Sequence, residues 1–303
     1  MIHKHGNVAI GIDSIGGNIT SFQYEGKHIF LPQQVIKEDD EWKIRGGSHI
    51  CFPNYGDFKE TGSLKLPRHG FIRDSEMELS KRHVDEVVFR ERFSISEGLS
   101  LEKNFPFIQS KFHCSVKDFM GHSDKRFPFS FQMFASIYFL PDGFLQSITI
   151  CHPPEMEGDI QINDFIPKEI RKSIPIGLGL HPYFNIPDCK ASLGFKIVAS
   201  IDESSKIQDL DITDQKLNMF LGHMPNNEVV IRTHGFKAKV TFGGLFTESS
   251  DSQIVLWRHA KDSPYLCIEP IVSNREDFNT PKGVYLPPEK DYVNGWMMVR
   301  IEK

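Results

Sequence analysis

Cysteine is sparse and dispersed in this chain. Five occur in 303 residues, at Cys51, Cys114, Cys151, Cys189 and Cys267, with no Cys-x-x-Cys spacing. An odd, scattered set argues against a disulfide framework and against a zinc site, and fits a reducing compartment. Long apolar runs are missing too: nothing approaches the roughly 18 residues that a membrane span needs. The stretch Met1-Ile2-His3-Lys4-His5-Gly6 has no apolar core of a signal peptide. The reading is therefore a soluble, cytoplasmic protein with no membrane partner. A basic surplus is absent, the net charge being −5, which argues against nucleic acid as a partner. Common catalytic signatures are missing as well. No phosphate-cradling loop or dinucleotide fingerprint follows a strand, and no Gly-x-Ser-x-Gly occurs. Two cysteines have a histidine beside them, His113-Cys114 and Cys151-His152. Strand alternation points the first pair to opposite faces, and the second reads as part of a loop, so neither is taken as a nucleophile with its base. There is no internal repeat, no low-complexity segment and no amphipathic helical pattern longer than about three turns. Pro167 to Ser173 is expected as a short helix.

What is present is apolar and alternating. A hydrophobic share of 39% with 25 Phe is too apolar for a disordered chain, and the length suffices for a large core. Val8, Ile10 and Ile12 alternate with Ala9, Gly11 and Asp13; Phe112, Cys114 and Val116 alternate with polar residues; Phe236, Ala238, Val240 and Phe242 interleave with Lys237, Lys239 and Thr241. Such a period of two puts one face of a strand on a core and the other in water. Gly16-Gly17-Asn18 turns the chain between two such runs, and Trp296 to Ile301 is the last strand expected. Gly56 to Leu66 and Asp202 to Gln215 read as loops. Many short antiparallel strands predict an all-β fold, a large antiparallel β-sandwich. One domain over 1–303 is preferred to two, because the candidate site residues come from the first, middle and last thirds of the chain.

Four segments carry chemistry. The first is Arg45-Gly46-Gly47 followed by Cys51-Phe52-Pro53-Asn54-Tyr55-Gly56. A glycine pair permits positive φ or close approach to a ligand, and an arginine beside it can present its fork to hydroxyls or a phosphate; the plainer alternative is a strand-connecting bend with a solvated arginine. In the second, Leu66-Pro67-Arg68-His69-Gly70-Phe71-Ile72-Arg73, two arginines disfavour an imidazolium at His69. A neutral His69 suits hydrogen bonding to sugar hydroxyls, against the alternative of a structural turn histidine. In the third, Gly177-Leu178-Gly179-Leu180-His181-Pro182-Tyr183-Phe184, His181 ends an apolar stretch and its aromatic neighbours offer a stacking wall for a sugar ring; the alternative is a core histidine. The fourth is Tyr265-Leu266-Cys267-Ile268-Glu269-Pro270. A carboxylate in such a run is rarely left without a partner, and burial raises its pKa towards that of a general base. The alternative is a structural ion pair with Arg258 or Arg275. His259, after Trp257-Arg258, reads as an ordinary structural histidine, with a place behind the site as the alternative.

In this order the four segments resemble the aldose 1-epimerase (galactose mutarotase-like) superfamily. The glycine pair with Phe52-Pro53, and Leu66-Pro67-x-His69-Gly70-Phe71-x-Arg73, look especially like the branch containing glucose-6-phosphate 1-epimerases. Leu180-His181-Pro182-Tyr183-Phe184 resembles the central segment of that superfamily. Ile268-Glu269-Pro270, with Asn279-Thr280 and Leu286-Pro287-Pro288 after it, resembles the C-terminal one. The resemblance implies a large antiparallel β-supersandwich with its site in a cleft on the concave face. It implies Glu269 as the base, His181 as the acid, and His69, Arg45 and Arg73 on the substrate. The activity implied is interconversion of the α and β anomers of a hexose or hexose 6-phosphate, with no metal and no other cofactor, in a monomer or homodimer. Two departures stand out: Arg68 where the phosphosugar branch often has glutamine, and Ser48-His49-Ile50 in place of a run with proline. The superfamily also tends to place an aspartate on the substrate, and here Asp202, Asp209, Asp211 and Asp214 all stand open for that role. Two rival readings are a non-catalytic carbohydrate-binding protein and a metal enzyme using His69, His181 and Glu269.

Overall fold

The computed structural model describes residues 1–57, 65–94, 101–114, 127, 129–152, 173–188, 190–197, 206–212, 216–221, 227–272, 283–287 and 290–302. Two antiparallel nine-stranded sheets dominate it. In spatial order the first sheet runs Ile2–His5, Val8–Ile12, Ile19–Tyr24, Ser48–Cys51, Leu178–Asn185, Tyr265–Val272, Ser252–Arg258 and Leu217–Leu221, with Lys27–His28 paired to Ile19–Tyr24. The second runs Lys206–Asp211, Ala191–Ile197, Glu228–Thr233, Lys237–Gly244, Tyr292–Glu302, Gly143–Cys151, Phe131–Leu140, Asn104–Cys114 and Glu78–Asp85.

The alternation explains the stacking. Val8, Ile10 and Ile12 of the first sheet, and Ala238, Val240 and Phe242 of the second, belong to one buried cluster between the sheets. Phe22 meets Phe144 across that gap edge to face at 4.8 Å, the geometry aromatic rings prefer. Lys237 and Lys239 turn outward and pair with Glu302 and Glu228. Strands at the centre of a sheet lose the polar face: every residue of Tyr265–Val272 is buried, so something covers its outer side as well.

That cover is the hairpin Gln34–Glu38/Glu41–Arg45 together with the loop around Phe52–Asp57 and the segment Leu66–Asp74. The expected loop at Asp202 to Gln215 is corrected: Lys206–Asp211 is an edge strand on Ala191–Ile197. Its two apolar residues, Ile207 and Leu210, are out of step with a period of two, and the backbone ladder fixes the strand instead. The last strand extends to Tyr292–Glu302. Pro167 to Lys172 of the expected helix and most of the loop Gly56 to Leu66 lie outside the described residues, and Ser173, which is described, is not helical. The helix Glu86–Phe93 is capped by Asp85, whose carboxylate accepts from the Val87 N–H at 2.9 Å, and buries Phe89 and Phe93. Cys51, Cys114, Cys151 and Cys267 are free thiols, and no described helix is long and apolar enough to cross a membrane.

Candidate active site

Period two decides which residues reach the covered face of the first sheet. On Leu178–Asn185, Leu180 and Phe184 enter the core while His181 and Tyr183 point the other way; on Tyr265–Val272, Leu266 and Ile268 enter the core while Cys267 and Glu269 do not. Register then aligns them. His181 lies opposite His49, and the pairs Gly179–Ile271 and Tyr183–Cys267 bracket His181 and Glu269 on the next strand. His49, His181 and Glu269 thus fall in a row across three adjacent strands. They line a cavity of about 900 Å³ whose walls include Tyr55, Tyr183 and Trp257. That size lies within the range of small-molecule sites, on the order of 300–1,000 Å³.

The centre of the row is a carboxyl–imidazole contact. His181 Nε2 is 3.3 Å from Glu269 Oε2, with Glu269 0% and His181 6% exposed. The Tyr55 hydroxyl donates to the same oxygen at 2.8 Å, and Oε1 has no partner among the described residues. Burial pushes Glu269 up from 4.5 to about 8, against smaller opposing effects of the Tyr55 hydrogen bond and Arg68. Burial, reinforced by His49, His69 and Arg45, holds His181 well below the usual imidazole value. Arg258 is not the carboxylate's partner: it is buried on the other face, donating to the Ser263 carbonyl at 3.2 and 3.0 Å and to the Ile212 carbonyl at 3.1 Å. Arg275 lies outside the described residues.

Two loops bring in the rest. Gly47 and Gly70 have φ of +67° and +74°. A Cβ on Gly47 would overlap the Ile19 carbonyl, and one on Gly70 the Phe52 carbonyl, so each glycine permits a close backbone crossing beside the site. His69, itself at φ +62°, accepts from the Gly56 N–H at Nδ1, 3.2 Å away. The Arg68 Nε–H faces Nε2 at 3.3 Å, so donors face both ring nitrogens, which disfavours a second proton on the ring. Burial, then Arg68, Arg73 and Arg45, lower His69 to about 3. The His69 ring stands edge-on to His181 at 5.6 Å, while His49 and Tyr183 stack on His181 at 4.6 and 4.7 Å.

All three arginines of the sequence motifs line the cavity, but they differ in freedom. Arg45 is held: Nε and Nη2 donate to Glu38 Oε2 at 3.0 and 2.7 Å, and its guanidinium lies 5.4 Å from the Trp257 ring centre. Glu38 also accepts from the Tyr265 hydroxyl at 2.6 Å. This clamp ties the hairpin to the sheet. His259 stands behind it, 3.9 Å from Glu38 and 3.3 Å from Asp39. Arg68 and Arg73 sit nearer solvent, 3.6 Å from Asp57 and 3.5 Å from Asp74, so their charges are only partly matched.

Of the aspartates read as substrate candidates, the two described ones are not brought here. Asp209 and Asp211 lie on the outer edge strand of the second sheet, and Asp211 lines a separate surface hollow; Asp202 and Asp214 lie outside the described residues. Asn218, on the edge strand Leu217–Leu221 of the first sheet, does line the cavity. The metal trio also changes. His181, Cys267 and Glu269 have ligand atoms within 4.8 Å of one another, and His69 is not in that group. Burial and the nearby Glu269 keep the Cys267 thiol protonated, which opposes a thiolate ligand. Sequence reading gave no role to Tyr55, His49, Glu38 or Trp257. Tyr55 and His49 stand inside motifs already singled out, which is the signal that was there to follow; Glu38 and Trp257 carried none.

No protein-family model and no curated protein matches the chain. Solved structures do. A protein from Synechocystis sp. PCC 6803 is 17% identical with a TM-score of 0.67, covering 99% of this chain and 94% of that one. A galactose mutarotase related enzyme from Lactobacillus acidophilus is 14% identical with a TM-score of 0.66, covering 100% and 97%. A galactose mutarotase-like protein from Lactobacillus casei ATCC 334 is 13% identical with a TM-score of 0.63, covering 100% and 99%. With the full length of the chain covered in these matches, the chain has the galactose mutarotase-like fold, a large antiparallel β-supersandwich.

Proposed function

We propose that this chain interconverts the α and β anomers of a hexose or hexose 6-phosphate by acid–base ring opening. The observation that carries this reading is the contact of His181 Nε2 with Glu269 Oε2 at 3.3 Å on the floor of the cavity. Opening a hemiacetal takes one proton from the anomeric hydroxyl and gives one to the ring oxygen. A buried carboxyl and a buried imidazole side by side supply a taker and a giver within reach of adjacent atoms. Glu269 takes the C1 hydroxyl proton as His181 protonates the ring oxygen. The open aldehyde rotates about C1–C2, and the two groups reverse their roles to close the ring on the other face. Proton count supports the scheme. Burial keeps a proton on Glu269 and off His181 at neutral pH, so the pair holds one mobile proton between them. Carboxylate with imidazolium is the minor but competent arrangement of that state.

The walls favour a sugar. Trp257 and Tyr183 offer apolar ring faces. For the far end of the substrate, Lys43, Arg68 and Arg73 line the mouth, each with one carboxylate near it, Glu41, Asp57 and Asp74, while Arg45 is held by Glu38. The guanidinium forks of Arg68 and Arg73, loosely paired and open to solvent, favour a 6-phosphate at the mouth. The test is polarimetry or exchange NMR on a panel of pure α-anomers, with and without a 6-phosphate. No acceleration of interconversion for any of them would overturn the proposal.

A further inference from the structure

We infer that Tyr55 is a positioning residue for the reaction proposed above: its hydroxyl holds Oε2 of Glu269 and so leaves Oε1 to take the proton of the anomeric hydroxyl. The inference rests on that reading of the site, and on three observations. The Tyr55 oxygen donates to Oε2 at 2.8 Å, across 214 residues of sequence. His181 approaches the same oxygen, so both protein neighbours of the carboxylate are on one side of it and Oε1 stands without a partner among the described residues. Finally, Tyr55 has a prepared seat. Its ring rests edge-on against His69 at 5.2 Å, and a Cβ on Gly179 would come within 2.9 Å of its Cδ2. Gly179 belongs to the same strand as His181, so the strand that carries one member of the pair leaves room for the ring that holds the other.

Other ionisable groups around Glu269 do not duplicate this bond. His181 and Tyr183 face it from Leu178–Asn185, His49 and Cys51 from Ser48–Cys51, Arg68 and His69 from the loop, and Cys267 from its own strand. Of these, His181 alone has a polar contact to the carboxylate among the described residues, while Arg68 acts at longer range. The strand Ser252–Arg258 presents Gln253, Val255 and Trp257 on that side, none of them ionisable. A hydroxyl donating to a carboxylate favours its charged form. Tyr55 therefore sets both the aim of the base and the share of the one-proton pair in which Glu269 is ionised.

Tyr55→Phe removes the hydroxyl and keeps the ring. The carboxyl of Glu269 should then titrate about one pH unit higher, a tenfold change in its proton affinity. Two readouts are read together. Infrared difference spectra against Glu269→Gln follow the carboxyl directly and need no turnover. The pH–rate profile should show its alkaline limb moving up while the neutral-pH kcat falls by about the same tenfold, with KM little changed. A site-specific ring-fluorinated tyrosine at position 55, a stronger donor in a ring of nearly unchanged size, should move both the carboxyl titration and the limb the other way. A fall in rate with no movement of either titration would overturn the inference and leave Tyr55 as packing alone, and so would a fluorinated protein indistinguishable from wild type. If the infrared titration moves as expected in a protein that turns over no anomer, the Tyr55–Glu269 coupling stands and the epimerase reading falls.

Discussion

Replacing Glu269 by glutamine should slow anomer interconversion and, at the same time, stabilise the protein at neutral and alkaline pH. The kinetic half follows from the mechanism. An amide can accept the Tyr55 hydrogen bond but cannot take a proton, and losing a general base costs at least about 10²-fold, or about 3 kcal/mol on the barrier. The stability half follows from burial. Glu269 rises from 4.5 to about 8 on folding, a difference of about 3.5 pH units at about 1.4 kcal/mol each. A carboxyl with a raised folded pKa binds its proton more tightly in the folded than in the unfolded chain. Stability is therefore fully present below 4.5 and is lost as pH rises towards 8. The loss reaches about 5 kcal/mol at and above pH 8. Glutamine has no proton to lose. Urea unfolding of both proteins at a series of pH values should therefore show curves that coincide near pH 4 and diverge above it, with the mutant the more stable. Polarimetry on the same preparations gives the rates. Wild-type turnover in the mutant would refute the catalytic role, and a stability gap that does not change with pH would refute the buried-carboxyl argument even if the rate falls.

Three further outcomes are expected. His181→Asn should lose at least about 10²-fold in kcat with KM changed far less, since asparagine hydrogen-bonds the ring oxygen but does not protonate it; a main effect on KM would make His181 a binding residue. The wild-type kcat/KM for a hexose anomer should hold across neutral pH and fall as pH rises through about 8, where the pair loses its shared proton; a rate that climbs through pH 8 would contradict a one-proton pair. Arg73→Ala should raise KM for a hexose 6-phosphate several-fold more than for the free hexose, and added salt should weaken the phosphosugar selectively; equal effects on both would point to a neutral aldose.

What the sequence determined by itself was local and periodic. Strand alternation is written into runs such as Phe236 to Phe242, because the same period that builds a strand sorts its side chains between core and water. Glu269 was legible for a related reason: a lone carboxylate among Leu266, Cys267 and Ile268 must be buried with a purpose. His69 and His181 stood out through the glycines and prolines that fix their backbones. Only the tertiary structure decided what these residues touch. Tyr55 and Glu269 are 214 positions apart, and Glu38 and Tyr265 are 227 apart; no spacing rule reaches across such intervals, because the contacts depend on which strands neighbour each other and in what register. For the same reason the sequence leaves Arg45 open between a ligand and solvent, and only the fold shows Glu38, from the hairpin of its own neighbours, holding it. The aspartates of the segment Asp202 to Gln215 looked equivalent in sequence, and the sheet order alone sends Asp209 and Asp211 to an edge far from the cavity. Sequence named the candidate groups; strand order and register brought them within a proton's reach of one another.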